Sequence, residues 1–198
     1  MKIFIIGLPQ SGRTTIAKAV AEHFKARHVD AMSWVRSTFR SRKHDEHIQR
    51  YEDEYDHFLS IRRTVNPWFI TSHVYDLLKS HVEDKIFVID GIASPRDFSE
   101  LFDYRHDVVV FVNRTDGITE FKDHENIGVS VIRDYCFWMS SAGLLAKDRW
   151  LEYNFKIPGE ESEFVKELGS KNTVFIIKSI NKTISHLLER LKKCVVEE

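Results

Sequence analysis

The first fifteen residues constrain the fold of this chain more than any other stretch, because an apolar run leads directly into a glycine-rich turn. Residues 3–6 read Ile-Phe-Ile-Ile, a run typical of a short buried strand. The chain then continues Gly7-Leu8-Pro9-Gln10-Ser11-Gly12-Arg13-Thr14-Thr15. The two glycines have the spacing of the phosphate-binding pattern G-x-x-x-x-G-K-[ST], with arginine in the place of the lysine. This pattern predicts a strand, a phosphate loop and a helix in succession.

The predicted loop has the chemistry of a nucleotide site. Its glycines allow backbone N–H groups to form a nest for phosphate oxygens, and the start of the next helix adds positive potential. The hydroxyl of Thr14 would hold Mg²⁺, and the cation of Arg13 would reach the β- and γ-phosphates of ATP. Guanidinium is broader and flatter than ammonium, so the exchange of lysine for arginine is not conservative. The residues predicted to bind the nucleotide are Gly7, Gln10, Ser11, Gly12, Arg13, Thr14 and Thr15.

The alternative is a strand, turn and helix with incidental glycines. The register of both glycines and the Thr-Thr pair that opens an amphipathic helix favour the phosphate loop over this alternative.

The remainder of the chain alternates between two hydrophobic periods. Strands are predicted at residues 3–6, 27–29, 85–89, 107–112 and 173–177. Helices are predicted at residues 13–26, from residue 33 onward, and at residues 45–61, 67–82, 125–145 and 180–195. The alternation predicts an α/β fold of the three-layer P-loop NTPase type, with a five-stranded parallel sheet and helices on both faces. The sequence has no internal repeat or linker, so residues 1–198 are expected to form a single domain.

Four polar or glycine positions follow directly after predicted strands. They are Gly7, Asp30, Asp90 and Arg114. Ligands of open parallel sheets bind at the carboxyl ends of the strands. These residues are therefore expected to share one edge of the sheet and to form the site.

Composition excludes several classes of protein. The net charge is −1, so no overall basic field draws the chain to nucleic acid, and such binding would need a local patch. The two cysteines have no metal or redox spacing and favour free thiols in a reducing, cytoplasmic compartment. The apolar runs are shorter than a signal peptide or a membrane span, so no membrane partner is expected. Oligomeric state is left open by these features.

Three segments together resemble the adenylate kinase and nucleoside monophosphate kinase family of P-loop enzymes. The first is the phosphate loop. The second is His28-Val29-Asp30-Ala31-Met32-Ser33-Trp34-Val35-Arg36, which stands where that family has T-G-D-x-[LM]-R and keeps the arginine but not the T-G-D. The third is Asp90-Gly91-Ile92-Ala93-Ser94-Pro95-Arg96-Asp97, which is similar to D-G-F-P-R-T with two additional residues.

The resemblance implies a role for each matched residue. Arg36 and Arg96 would bind the phosphate of the acceptor, and Asp90 would orient Mg²⁺. The acceptor-binding helical segment would cover about residues 31–66 and a short lid about residues 114–126. The lid candidates are Arg114, Lys122 and Arg133. Arg133 resembles the family's helix arginine before a tyrosine, and the resemblance gives it a catalytic role.

Three functions remain open at this point. The first is a kinase that passes the γ-phosphoryl of ATP to a nucleoside monophosphate or related nucleotide. The second is a kinase for a hydroxyl acceptor, such as a modified nucleoside or a base in DNA, for which Asp30 would act as the catalytic base. The basic run Arg36, Arg40, Arg42 and Lys43 is compatible with the second. The third is a catalytically weakened nucleotide-binding regulator, for which Arg13 is the argument. Asp30 has a plain alternative role as a helix cap.

Overall fold

The computed structural model describes residues 1–8, 11–42, 54–64, 66–114, 123–155 and 184–196. In this part of the chain the strands are β1 (Lys2–Gly7), β2 (Arg27–Asp30), β3 (Phe87–Asp90), β4 (Val108–Arg114) and β5 (Trp150–Phe155). They form one sheet in the order β2-β3-β1-β4-β5, and every neighbouring pair is parallel. The prediction of a five-stranded parallel sheet is confirmed.

The helices cover both faces of this sheet. Their bounds are α1 (Arg13–Phe24), α2 (Ser33–Ser41), α3 (Glu54–Thr64), α4 (Phe69–Lys79), α5 (Pro95–Leu101), α6 (Asp123–Ser141) and α7 (Ser185–Val196), with a short 3-10 helix at Lys147–Arg149. One apolar layer joins Phe4 and Ile6 of β1 to helices α2 to α6. The other joins Ile3 and Ile5 to α1 and α7. The three-layer arrangement is therefore confirmed.

Strand β1 shows why its sequence is a continuous apolar run. Residues 3–6 are all 0% exposed, and their side chains alternate between the two apolar layers. A parallel sheet with helices on both faces requires apolar residues at every position of its central strands.

The edge strand β5 was missed by sequence reasoning. Its register aligns Trp150 with Val109 of β4, at the side of the sheet opposite to β2. The sequence Trp-Leu-Glu-Tyr-Asn-Phe mixes buried Leu151 with exposed Glu152, so it lacks the apolar run that marks the central strands. The strand predicted at residues 173–177 lies outside the described residues.

Helix α5 was also missed, although its start carries a recognisable cap. Ser94 Oγ accepts a hydrogen bond from the backbone N–H of Asp97 at 3.5 Å, and Pro95 opens the first turn. A serine followed by proline is a standard helix start. The helix was overlooked because it is only 7 residues long, too short for a clear period.

Other predicted boundaries shift by a few residues. The helix predicted from residue 67 begins at Phe69, and Asn66 Oδ1 accepts from the N–H of Trp68 at 2.8 Å just before it. Of the helix predicted at 45–61, residues 54–61 belong to α3 and residues 45–53 lie outside the described residues. The predicted lid at 114–126 spans the end of β4 and the first turn of α6, but residues 115–122, including Lys122, are not described.

Two further expectations meet the structure here. Cys136 and Cys194 are thiols, as predicted, and both are buried. None of the helices in the described ranges combines the length and apolar character that crossing a bilayer requires.

Candidate active site

The turn between β1 and α1 depends on both of its glycines. Gly12 has φ of 86°, which is strained for any residue with a side chain, and it immediately precedes α1. At Gly7 a Cβ atom would lie 2.7 Å from the carbonyl oxygen of Val112 on the neighbouring strand. The backbone N–H of Ser11 donates to the carbonyl of Leu8 at 3.1 Å and tightens the turn. The backbone thus forms the compact loop that the glycine spacing predicts.

The hydroxyl of Ser11 shows whether the loop suits an oxyanion ligand. Ser11 is 2% exposed, and its Oγ has no hydrogen-bond partner within the described part of the chain. A buried hydroxyl without a partner is costly, and a phosphate oxygen in the loop would satisfy it. The loop therefore fits a nucleotide phosphate.

Arg13 lies across the loop. Its Nη1 donates to the carbonyl oxygen of Gly7 at 2.7 Å, and its charge is close enough to Asp90 to lower the pKa of that carboxyl. Thr15 is exposed on the first turn of α1, and Gln10 lies outside the described residues. Of the predicted loop residues, the structure brings Gly7, Ser11, Gly12, Arg13 and Thr14 together at one edge of the sheet.

Asp90 is the centre of a hydrogen-bonded group at the end of β3. Thr14 Oγ1 donates to Asp90 Oδ2 at 2.7 Å, and His28 Nε2 lies 2.9 Å from Asp90 Oδ1. Burial favours a raised pKa for Asp90, but the hydrogen bonds from His28 and Thr14 outweigh it and hold the pKa below the usual value. Asp90 is therefore an ionised carboxylate although it is 0% exposed.

The pair formed by Thr14 and Asp90 fits the chemistry of Mg²⁺. Magnesium takes hard oxygen ligands and is commonly held by one or two protein oxygens together with waters and phosphate oxygens. A hydroxyl and a carboxylate that already contact each other beside a phosphate loop are suitable ligands of this kind. These two residues are the ones that would hold the metal.

Asp30 occupies the corresponding position on the neighbouring strand. The register of β2 and β3 aligns Asp30 with Asp90. Asp30 Oδ2 pairs with the guanidinium of Arg36, and Asp30 Oδ1 accepts from the N–H of Met32 at 3.1 Å. The N-cap residue of α2 is Met32, without a capping side chain, so Asp30 is not the helix cap that the plain alternative predicted. Its carboxylate lies at the site edge, and its role as a base stays a prediction.

An open groove extends from Asp30 along α2. Its volume is about 560 Å³, and the residues that line it are Asp30, Ser33, Arg36, Ser37, Arg40 and Ser41. The groove starts at the carboxyl end of β2, the edge at which Asp90 and the phosphate loop also lie. This position suits an acceptor that must approach a nucleotide bound in the loop.

The second predicted acceptor arginine has a different environment. Arg96 is exposed on the first turn of α5, and its guanidinium carbon lies 3.5 Å from the centroid of the Trp68 ring. Arg36, in contrast, pairs with Asp30. Convergence of Arg36 and Arg96 on one phosphate remains a prediction.

Arg133 on α6 pairs with a residue of the edge strand β5. Its Nε donates to Glu152 Oε1 at 2.8 Å, and both side chains are close to half exposed. Glu152 belongs to β5, which is two strands from β1, or about 10 Å across the sheet. This exposed ion pair gives Arg133 a surface partner and offers no support for its predicted catalytic role.

Sequence reasoning missed His28 and the buried carboxylate of Asp97, which contacts residues of α3 and α4. His28 stands two residues before Asp30 on β2 and so faces the same side of the sheet, which is a usable signal. Asp97 is 1% exposed, accepts from Thr71 Oγ1 at 2.8 Å, and pairs with Arg62 at 3.4 Å. These partners are 26 and 35 residues away from Asp97, and no local pattern connects them.

Comparison with known proteins gives similarity at the level of solved structures. No family model matches the sequence, and no curated protein matches it. A shikimate kinase from Bacteroides thetaiotaomicron superposes with a TM-score of 0.44 at 14% identity, covering 96% of this chain and 98% of its own. A gluconokinase from Sinorhizobium meliloti gives 0.40 at 14% identity over 96% and 95% of the two chains. A shikimate kinase from Acinetobacter baumannii in complex with shikimate gives a TM-score of 0.38 at 10% identity, covering 93% of this chain and 93% of its own. At these values the similarity establishes no activity or substrate for this chain.

Proposed function

We propose that this chain is an ATP-dependent kinase that transfers the γ-phosphoryl group to a hydroxyl of an acceptor bound in the α2 groove. The observation that carries the proposal is the position of Asp30 at the mouth of this groove, one strand from the Asp90 and Thr14 pair. A carboxylate in this position accepts the proton of an attacking hydroxyl. Its contacts with Arg36 and the N–H of Met32 fix its orientation.

The donor half of the proposal rests on the phosphate loop. Backbone N–H groups, the Ser11 hydroxyl and the Arg13 guanidinium would bind the phosphates of ATP. Mg²⁺ held by Thr14 and Asp90 would neutralise charge on the β- and γ-phosphates. Phosphoryl transfer needs mainly positioning and charge stabilisation, so these groups and a base are sufficient.

A hydroxyl acceptor suits this geometry better than a phosphate acceptor. The charge of Arg36 is already compensated by Asp30, and a phosphate bound at Arg36 would be repelled by that carboxylate. A phosphate acceptor also has no need of a base. The nucleoside monophosphate alternative retains one specific argument: Arg36, to which the family resemblance gives the acceptor phosphate, is among the residues that line the groove.

The variant Asp30→Asn separates these two functions. With a hydroxyl acceptor, loss of the base should lower kcat by about 10²-fold or more without a change in ATP binding. With a monophosphate acceptor, removal of the negative charge should instead lower the KM of the acceptor. The measurement is ATP consumption with shikimate, gluconate, nucleosides, nucleoside monophosphates and DNA. Asp76→Asn, an exposed substitution on α4, is the matched control.

Nucleotide binding is tested independently of the acceptor. ATP should raise the melting temperature by mass action, and the rise should be larger with Mg²⁺ than with EDTA. The absence of a shift with every nucleoside triphosphate at millimolar concentration would reject the donor site. A kcat for Asp30→Asn equal to that of the parent on a hydroxyl acceptor would reject the base.

A further inference from the structure

Helix α2 presents a repeated polar pattern to the groove. Ser33, Ser37 and Ser41 recur at intervals of four residues, and Arg36 and Arg40 recur at the same interval. Residues four apart on a helix lie on one face, with Cβ atoms about 5–6 Å apart. The groove therefore has a row of hydroxyls beside a row of guanidinium groups, beginning at Asp30.

The charge of this surface is uneven along its length. At the inner end, the negative charge of Asp30 compensates Arg36. Arg40 lies one turn farther out and is exposed, and among the six lining residues the only carboxylate is Asp30. Among these lining residues, those of the outer half therefore supply a positive charge and hydroxyl donors.

We propose that the acceptor carries a phosphate group and that Arg40, with the hydroxyls of Ser37 and Ser41, binds it one helical turn beyond the reacting hydroxyl. This inference rests on the proposed function and adds the substrate class: a phosphorylated hydroxyl compound. Guanidinium binds phosphate bidentately, and serine hydroxyls donate to the remaining oxygens. The phosphate is either a monoester, as in a sugar phosphate, or a diester, as in an oligonucleotide.

A simpler role for Arg40 has to be separated from this one. Cations near the end of a helix stabilise its negative C-terminal pole, and Arg40 is in the last turn of α2. Arg42 caps the same helix and is also exposed, but it does not line the groove. Arg42 is therefore a control with the same charge and nearly the same distance from the helix end.

The experiment measures binding to the full chain without ATP. The probes are ribose 5-phosphate with ribose as its uncharged control, and labelled hexathymidylate with thymidine as its control. Arg40→Gln should weaken binding of the phosphorylated probe about tenfold or more, Arg40→Lys should weaken it less, and Arg42→Gln should leave it unchanged. With hexathymidylate, Arg40→Gln should also reduce the slope of log K against log salt by about 0.7. Thermal melting of each variant checks that it is folded.

The outcomes distinguish the sources and the two proposals. An effect on ribose 5-phosphate identifies a monoester site, and an effect confined to hexathymidylate identifies a phosphodiester site. Equal loss in Arg40→Gln and Arg42→Gln, or no binding of either probe by the parent, overturns the inference. Selective loss in Arg40→Gln without phosphoryl transfer to any hydroxyl overturns the proposed function alone. Transfer to unphosphorylated acceptors with a KM unaffected by Arg40→Gln overturns the phosphate site alone.

Discussion

The proposed donor side, at the loop between β1 and α1, is shaped by the backbone geometry of its glycines, whereas the proposed acceptor side, formed by the groove of α2 and the neighbouring helices, is assembled from pairs of side chains. At the loop, Gly12 adopts a positive φ and Gly7 packs against the carbonyl of Val112. On the acceptor side, Asp30 contacts Arg36, and Asp97 contacts Arg62 on another helix. The two sides of one site thus depend on different kinds of information in the sequence. A local motif specifies the first, whereas the second also needs contacts between residues far apart in the sequence, such as Asp97 and Arg62.

On the donor side, the largest loss of turnover is expected from substitution of Arg13, the cation of the loop. We expect Arg13→Ala to lower turnover by two or more decades, about 3 kcal/mol of transition-state stabilisation, because charge on the transferring phosphoryl loses its partner. Arg13→Lys should keep or improve activity. Turnover with saturating ATP and acceptor is the measurement.

Lys18→Ala, an exposed substitution on α1, is the control for the loss of a positive charge from this helix. If Arg13→Ala turns over as fast as the parent, the loop cation has no catalytic role, and the backbone alone accounts for the donor side.

A substitution on the acceptor side should lower the stability of the protein without loss of nucleotide binding. Arg62→Met leaves the carboxylate of Asp97, whose side chain is 2% exposed, without its ion-pair partner. We expect a loss of about 3 kcal/mol in the free energy of unfolding, because breaking a buried pair strands a charge. Denaturant titration gives this value, and the melting shift caused by ATP should persist.

Arg63→Met provides the matched control, since Arg63 is the next residue on α3 and is exposed. Equal losses of stability in the two variants would mean that the Arg62–Asp97 ion pair does not stabilise the packing of α3 against α5. Loss of the ATP-induced shift in Arg62→Met would mean that the two sides are coupled.

The decline of stability in acid should depend on Asp90, which lies between the loop and the groove. The pKa of Asp90 is held below its usual value of 3.8 by His28 and Thr14, against the opposing effect of burial. The unfolded chain therefore takes up this proton at a higher pH than the folded chain. The stability that Asp90 contributes is complete above its unfolded pKa and is lost as the pH falls through the lower folded pKa.

Asp90→Asn should therefore flatten the decline in the free energy of unfolding on acidification below about pH 4. Urea titrations of parent and variant between pH 6 and 3 are the measurement. Parallel curves for the two proteins would contradict the assigned direction of the pKa shift.

The sequence predicts the structure correctly where a short local pattern specifies it. The strand at residues 3–6, the spacing of Gly7 and Gly12 and the placement of Asp30 and Asp90 at one edge follow from local patterns and from the geometry of a parallel sheet. Apolar periodicity was sufficient for the central strands because both of their faces are buried.

The sequence was insufficient where a neighbour decides the outcome. Strand β5 mixes buried and exposed residues because it lies at a sheet edge, so the apolar run that marks β1 is absent. The pairing of Arg133 with Glu152 depends on how α6 packs against β5, and nothing near residue 133 indicates it. The partner of a charged side chain can therefore be identified only when the packing of the fold is known.

The smallest effect is expected at Arg96, where the resemblance and the contact geometry predict different results. If Arg96 binds the acceptor phosphate, Arg96→Ala should raise the KM of the acceptor. If its main partner is the Trp68 ring, the variant should lose only about 0.5–1 kcal/mol of stability, the usual size of an exposed cation–π contact, at an unchanged KM. We expect the second result, because Arg96 is exposed and its guanidinium already lies on the ring. A double-mutant cycle with Trp68→Leu measures the contact, and a raised KM in Arg96→Ala together with zero coupling would return Arg96 to the acceptor site.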